Sequence, residues 1–137
     1  QSDGYIHASN WVKIVSESDI LSFHVPLTSE TRKWVDSNFI TTLKKPVWLL
    51  NLSRGEVVDT QAVWQGIQSG KILGFAADVL EREPPMMEGS PIRELFIEMS
   101  RDYRCLFAPH VGGWTSESYQ KISRELLAKT LLVMRVD

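Results

Sequence analysis

The feature that most constrains this chain is the regular exchange of short apolar runs with helix-patterned segments. "DILSFHVP" (19–26), "VWLLNL" (47–52), "ILGFAADV" (72–79) and "CLFAP" (105–109) have the length and composition of strands. Three of them are nearly continuous apolar runs, which predicts strands buried on both faces. Helix signals lie between them. "SNWVKIV" leads into the first strand, and "DSNFITTL" (36–43) offers Asp36 or Ser37 as its cap. "DTQAVWQGIQSG" (59–70) is capped by Asp59 and closed by Gly70. "SPIRELFIEM" (90–99) has Ser90 as cap, Pro91 at the first helical position, and Ile92, Leu95, Phe96 and Met99 on one face. The last helix, "TSESYQKISRELLAKTLLVM" (115–134), carries Tyr119, Ile122, Leu126, Thr130 and Leu131 at helical spacing, a stripe suited to core or partner contact. "EREPPMMEG" (81–89), with two prolines, reads as a loop. This alternation predicts an α/β fold: a Rossmann-type parallel sheet with right-handed crossovers and helices on both faces.

Composition narrows the class. At 137 residues, 43% hydrophobic and 23% charged, the chain is one domain or a piece of one. A formal charge of -2 with no basic cluster argues against nucleic acid and anionic membrane as partners. No apolar segment approaches the length of a membrane span, and no signal peptide is recognisable. Cys105 is the single cysteine, and the histidines at 7, 24 and 110 lack metal-ligand spacing, so no metal is expected and a reducing, cytoplasmic setting fits. The opening "QSDGYIHASN" does not begin with methionine, and the chain is expected to start inside a longer protein.

In a parallel sheet every strand ends on the same edge, and ligands bind in the crevice beyond it. Here each strand delivers polar residues to that edge. The first ends in His24, Val25 and Pro26; the second in Ser53 and Arg54; the third in Asp78 with Glu83 a few residues on; the last in His110. An arginine, two carboxylates and a histidine converge on one rim. Taken singly, each has an ordinary structural explanation. Arg54 could mark the end of a strand, Asp78 could turn the chain, His110 could be a loop histidine satisfied by backbone, and Glu81 and Glu83 are both loop acids. His24 reads as a packed strand-end residue, and Trp114 as core or interface.

The motifs together resemble the D-isomer specific 2-hydroxyacid dehydrogenases. "SDILSFHVPLTSET", "LLNLSRGEVVD", "QSGKILGFAADVLEREP" and "APHVGG" occur in that family's order and at compatible spacings, from about Ser18 onward. The resemblance implies that Arg54 binds the carboxylate and carbonyl of a small 2-keto acid, that His110 is the acid/base, and that Glu83, which directly precedes a proline as in the family pattern, orients it. It places Asp78 on the nicotinamide side of the cofactor, and Val25, Pro26, Thr31, Leu52, Ser53, Arg54, His110 and Gly112 at cofactor-lining positions. NAD is the implied cofactor, with nothing in the sequence to separate it from NADP. The chemistry asks for these residue types on its own account. Reducing a ketone builds charge on oxygen, so a proton donor that titrates near neutrality must stand beside it. A carboxylate on the other ring nitrogen fixes the tautomer and favours imidazolium. A planar guanidinium holds a carboxylate by two parallel hydrogen bonds, which lysine does less well.

The chain also departs from the family. It has no G-x-G-x-x-G fingerprint and no strand ending in an acid for the adenine ribose, since no apolar strand precedes Asp3. The glycine-rich half of the nucleotide-binding domain and the substrate domain are therefore expected to lie outside this sequence, leaving residues 1–137 as the C-terminal portion. Pro84 to Arg104 carries an extra helix-like segment. A sheet cut in mid-domain leaves a bare edge and apolar faces for a second copy to cover, so a homodimer is expected. The alternative to an enzyme is a nicotinamide-sensing binding protein of the same fold, such as a corepressor.

Overall fold

The computed structural model describes residues 11–83 and 88–133. Asp3, the first two residues of "SNWVKIV", Pro84 and Pro85 of the proline-containing loop, and Met134 lie outside the described residues. Strands β1 (Ile20–Phe23), β2 (Val47–Asn51), β3 (Ile72–Ala77) and β4 (Cys105–Phe107) form one parallel sheet in the order β1-β2-β3-β4. The register runs Leu21 to Leu49, Leu49 to Phe75, and Phe75 to Cys105. Around the sheet lie helices α1 (Trp11–Glu17), α2 (Ser37–Thr42), α3 (Thr60–Gln68), α4 (Pro91–Ser100) and α5 (Ser116–Val133), with a 3-10 turn at Gly55–Val57 after β2.

Local chemistry sets the helix ends where the sequence placed them. Asp36 caps α2 by accepting the Phe39 N–H at 2.8 Å, Asp59 caps α3 through Ala62 N–H at 3.1 Å, and Ser90 caps α4 with Pro91 in its first turn. Gly70, with φ +74°, follows α3 as its closing residue.

Among the described residues the helices do not cover both faces. A sheet whose strands follow one another without reversing direction keeps every right-handed crossover on the same side, and covering the second face would need a reversal of strand order. The burial pattern agrees with that rule. Leu21, Phe23, Val47, Leu49, Ile72 and Phe75 face a core closed by Phe39, Ile40, Val63, Ile67, Phe96 and Met99. Ile20, Trp48, Leu73 and Leu106 on the sheet remain exposed, Leu106 to 70%. The strands are therefore half-buried, despite their continuous apolar composition. On the covered side α1 joins the core through Val15, and Trp11 stacks on Phe39 at 6.1 Å between ring centroids. The stripe of α5 adds nothing to this core: Tyr119, Ile122, Leu126 and Leu131 are exposed. Among the described residues no helix is long and apolar enough to cross a membrane.

Candidate functional site

Parallel strands bring the chain segments after β1, β2, β3 and β4 to one edge, and the site is built from these four loops. The loop after β2 is organised by Asn51, the last residue of the strand, which is fully buried. Its carboxamide oxygen accepts from the Ser53 N–H at 3.2 Å and hydroxyl at 2.8 Å, while its Nδ2 donates to the Arg54 carbonyl at 2.9 Å. A buried amide satisfied on both sides fixes the turn that presents Arg54. The Arg54 guanidinium donates from Nη1 to the Ser53 carbonyl at 2.6 Å and is otherwise exposed at the rim. Directly behind it stands Gly55. A Cβ there would lie 1.9 Å from the Leu80 carbonyl oxygen, so only glycine lets this loop pack on the loop after β3.

The loop after β3 supplies three acids with different fates. Asp78 accepts from the N–H groups of Val111 at 2.9 Å and Gly112 at 2.8 Å. That carboxylate pins the chain just beyond His110, whose backbone is left-handed at φ +56°. A Cβ on Gly112 would come within 2.8 Å of Asp78 Oδ2, which explains the glycine. Glu83 points at His110: its Oε2 lies 2.6 Å from Nδ1, and its Oε1 accepts the Leu80 N–H. Glu81 turns the other way and is buried against the first turn of α3, where its Oε2 accepts from the Thr60 hydroxyl at 2.9 Å. It is not the solvated loop acid that its sequence context suggests.

The Thr28–Thr31 turn steadies the loop after β1. Thr31 donates its hydroxyl to the Pro26 carbonyl at 2.7 Å and accepts the Thr28 N–H at 2.8 Å. His24 is held by Ser22, with Oγ 2.7 Å from Nε2.

These loops enclose an open cleft of about 420 Å³ lined by His24, Leu52, Ser53, Arg54, Asp78, His110, Gly112 and Trp114, among others. It adjoins a second hollow lined by Val25, Pro26 and Leu27 together with His24, Leu52, Ser53 and Arg54. The candidate site residues thus come to one rim except Thr31, which bonds the Pro26 carbonyl, and Glu83, which bonds His110. Ser53 is buried with its hydroxyl committed to Asn51. Sequence reasoning missed Asn51, read only as the end of a strand, and Trp114. The signal for Asn51 was present: an asparagine at a strand end, two residues before a serine, has the spacing of an Asx-type loop organiser.

Near the site, Lys33 bonds Asp59 at 2.9 Å. The Asp59 hydrogen bond holds the Lys33 ammonium above its ordinary range. Partial burial pushes the Asp59 carboxyl up, but hydrogen bonds from Lys33 and Ala62 N–H outweigh it and leave the group below the usual carboxylate value.

Residues 1–112 match the family model described as D-isomer specific 2-hydroxyacid dehydrogenase, NAD binding domain. The chain is 35% identical over 121 residues to a glyoxylate reductase of Thermofilum pendens, covering 88% of this chain and 33% of that protein. It is 34% identical over 116 residues to a hydroxypyruvate reductase of Thermotoga maritima, covering 85% of this chain and 36% of that protein. Among solved structures, the D-lactate dehydrogenase from Aquifex aeolicus complexed with NAD and lactic acid aligns at a TM-score of 0.74 and 27% identity, over 95% of this chain and 41% of that one. The chain spans about a third of the length of these curated relatives.

Proposed function

This chain belongs to the D-isomer specific 2-hydroxyacid dehydrogenases, within their NAD-binding domain, and from that premise we propose that it carries the nicotinamide end and the acid/base pair of an enzyme interconverting small 2-keto and 2-hydroxy acids with NAD. The observation that carries this reading is the 2.6 Å contact between Glu83 and His110 on the rim where Arg54 emerges.

The residues present fit the nicotinamide end of the cofactor. Gly112 and His110 line the cleft together, and Val25, Pro26 and Leu52 offer an apolar wall beside the polar rim. Thr31 and Ser53 hold the backbone of that wall through Pro26 and Asn51, and Asp78 holds Gly112. Bound there, the nicotinamide supplies or takes up the hydride.

The rest of the work falls to this chain. Arg54, tied at Nη1 to the Ser53 carbonyl, keeps its remaining N–H groups for the substrate carboxylate and so fixes which face of the carbonyl carbon is presented. His110 donates from Nδ1 to Glu83, which leaves Nε2 to give a proton to the carbonyl oxygen in reduction and to take one from the hydroxyl in oxidation. Glu83, itself held by the Leu80 N–H, fixes that tautomer.

The test is turnover of a panel of 2-keto acids with NADH by the intact protein, followed by His110→Ala. The expected loss in kcat is on the order of a hundredfold or more, the usual scale of general acid catalysis. Unchanged turnover in the variant would remove His110 from the mechanism. NADH binding with no turnover of any acid would favour the binding-protein alternative.

A further inference from the structure

A buried carboxylate beside the acid/base pair has no part in the chemistry just derived. Glu81 is 7% exposed. Its Oε2 accepts from the Thr60 hydroxyl at 2.9 Å and the Thr60 N–H at 3.3 Å, and its Oε1 lies 3.7 Å from Lys33 Nζ. Asp59 caps α3 through the Ala62 N–H and Glu81 takes the further N–H at Thr60, a bond that water or a neutral acceptor could supply without burying a charge. Burying a carboxylate is costly unless its partners are held in place, so a neutral residue would serve better if filling space were the task.

What Glu81 does hold is the segment that carries Glu83. Arg82, between the two glutamates, has φ +62°, a conformation that non-glycine residues adopt at a cost and keep only where flanking contacts enforce it. That turn sends Glu81 inward to α3 and Glu83 outward to His110. Leu80 closes the arrangement from the other side, its carbonyl against Gly55 and its N–H on Glu83.

We propose that Glu81 is a positioning residue for the acid/base pair: by tethering residues 80–83 to the first turn of α3, it keeps Arg82 left-handed and aims Glu83 at His110 Nδ1. The inference rests on the reading of Glu83 and His110 given above.

The experiment is steady-state reduction, by the intact protein with NADH, of the 2-keto acid turned over fastest in the panel. Glu81→Ala should lower kcat roughly tenfold or more while KM stays within about twofold, since the substrate anchor is untouched. Glu81→Gln keeps an oxygen for Thr60 and should recover most of the rate. Thr60→Val, which removes one tether without changing shape, should lower kcat in the same direction and stands in if Glu81→Ala does not fold. In a Glu83→Ala background the same Glu81→Ala change should alter kcat by less than about twofold, because no carboxylate is left to aim. An undiminished loss in that background, or a loss that falls on KM, overturns the proposal while the acid/base pair stands on the loss from Glu83→Ala itself. If Glu83→Ala costs nothing, the pair falls and the proposal with it.

Discussion

Replacing Gly55 by alanine tests whether the arginine loop and the glutamate loop act as one unit. The added Cβ would sit 1.9 Å from the Leu80 oxygen, 2.0 Å from its carbonyl carbon and 2.3 Å from the Glu81 nitrogen, where ordinary contacts begin at 3.4 Å. All three are backbone atoms, so no side chain can swing aside, and the loops must part by about 1.5 Å. Two energies oppose each other. Gly55 is not among the glycines with positive φ, so alanine would gain about 0.4–1 kcal/mol by restricting the unfolded chain. Overpacking costs about 1–3 kcal/mol, and with backbone on both sides the upper part of that range applies, leaving a net loss of about 1–2 kcal/mol. The catalytic effect should exceed the stability effect. Leu80 and Glu81 belong to the segment that holds Glu83 at 2.6 Å from His110, and a misplacement of about 1 Å in a catalytic constellation can cost on the order of a hundredfold. Urea unfolding of the intact protein gives the first number, and kcat/KM at a temperature well below unfolding gives the second. A stability change within about 0.5 kcal/mol, the range of an ordinary surface substitution, together with unaltered kcat/KM, would refute the close approach.

Two further outcomes are expected. Arg54→Lys should raise KM for the keto acid and lower kcat, with cofactor affinity little changed, because a point charge holds a carboxylate less rigidly than a fork; kcat/KM within about a factor of two of the parent would return Arg54 to mere surface decoration. Asp102, bonded at 2.9 Å and 2.7 Å by Arg104, is held down by that guanidinium from its ordinary 3.8 to about 2. A carboxyl depressed on folding contributes stability that is present above its unfolded value and is lost as pH falls through the folded one. The advantage of the native protein over Asp102→Asn in urea midpoint should therefore be full above about pH 4 and vanish toward pH 2, and a difference that stays constant across that window would contradict the pairing.

What depends on neighbours along the chain is legible without the fold. The alternation of apolar runs and helix patterns fixed the α/β class; Asp36, Asp59 and Ser90 fixed helix starts, because a cap acts within its own turn. The strand ends already named Arg54, Asp78 and His110, since a parallel sheet sends every strand terminus to one edge whatever the detailed packing. Tertiary structure decided what depends on which segments meet. Continuous apolar strands suggested two covered faces, but the strand order leaves Trp48 and Leu106 uncovered, and strand order is a property of pairing that no single strand encodes. Glu81 and Glu83 look alike in sequence; the left-handed Arg82 between them sends one to Thr60 and the other to a histidine 27 residues away. The partners of Asn51 and Asp78 likewise come from the fold: the Asn51 amide holds the Arg54 turn, and both Asp78 oxygens lie on the amides beyond His110. Short-range preferences are set by a few torsions and are legible locally, whereas the partners of a buried polar group are set by the whole fold that encloses it.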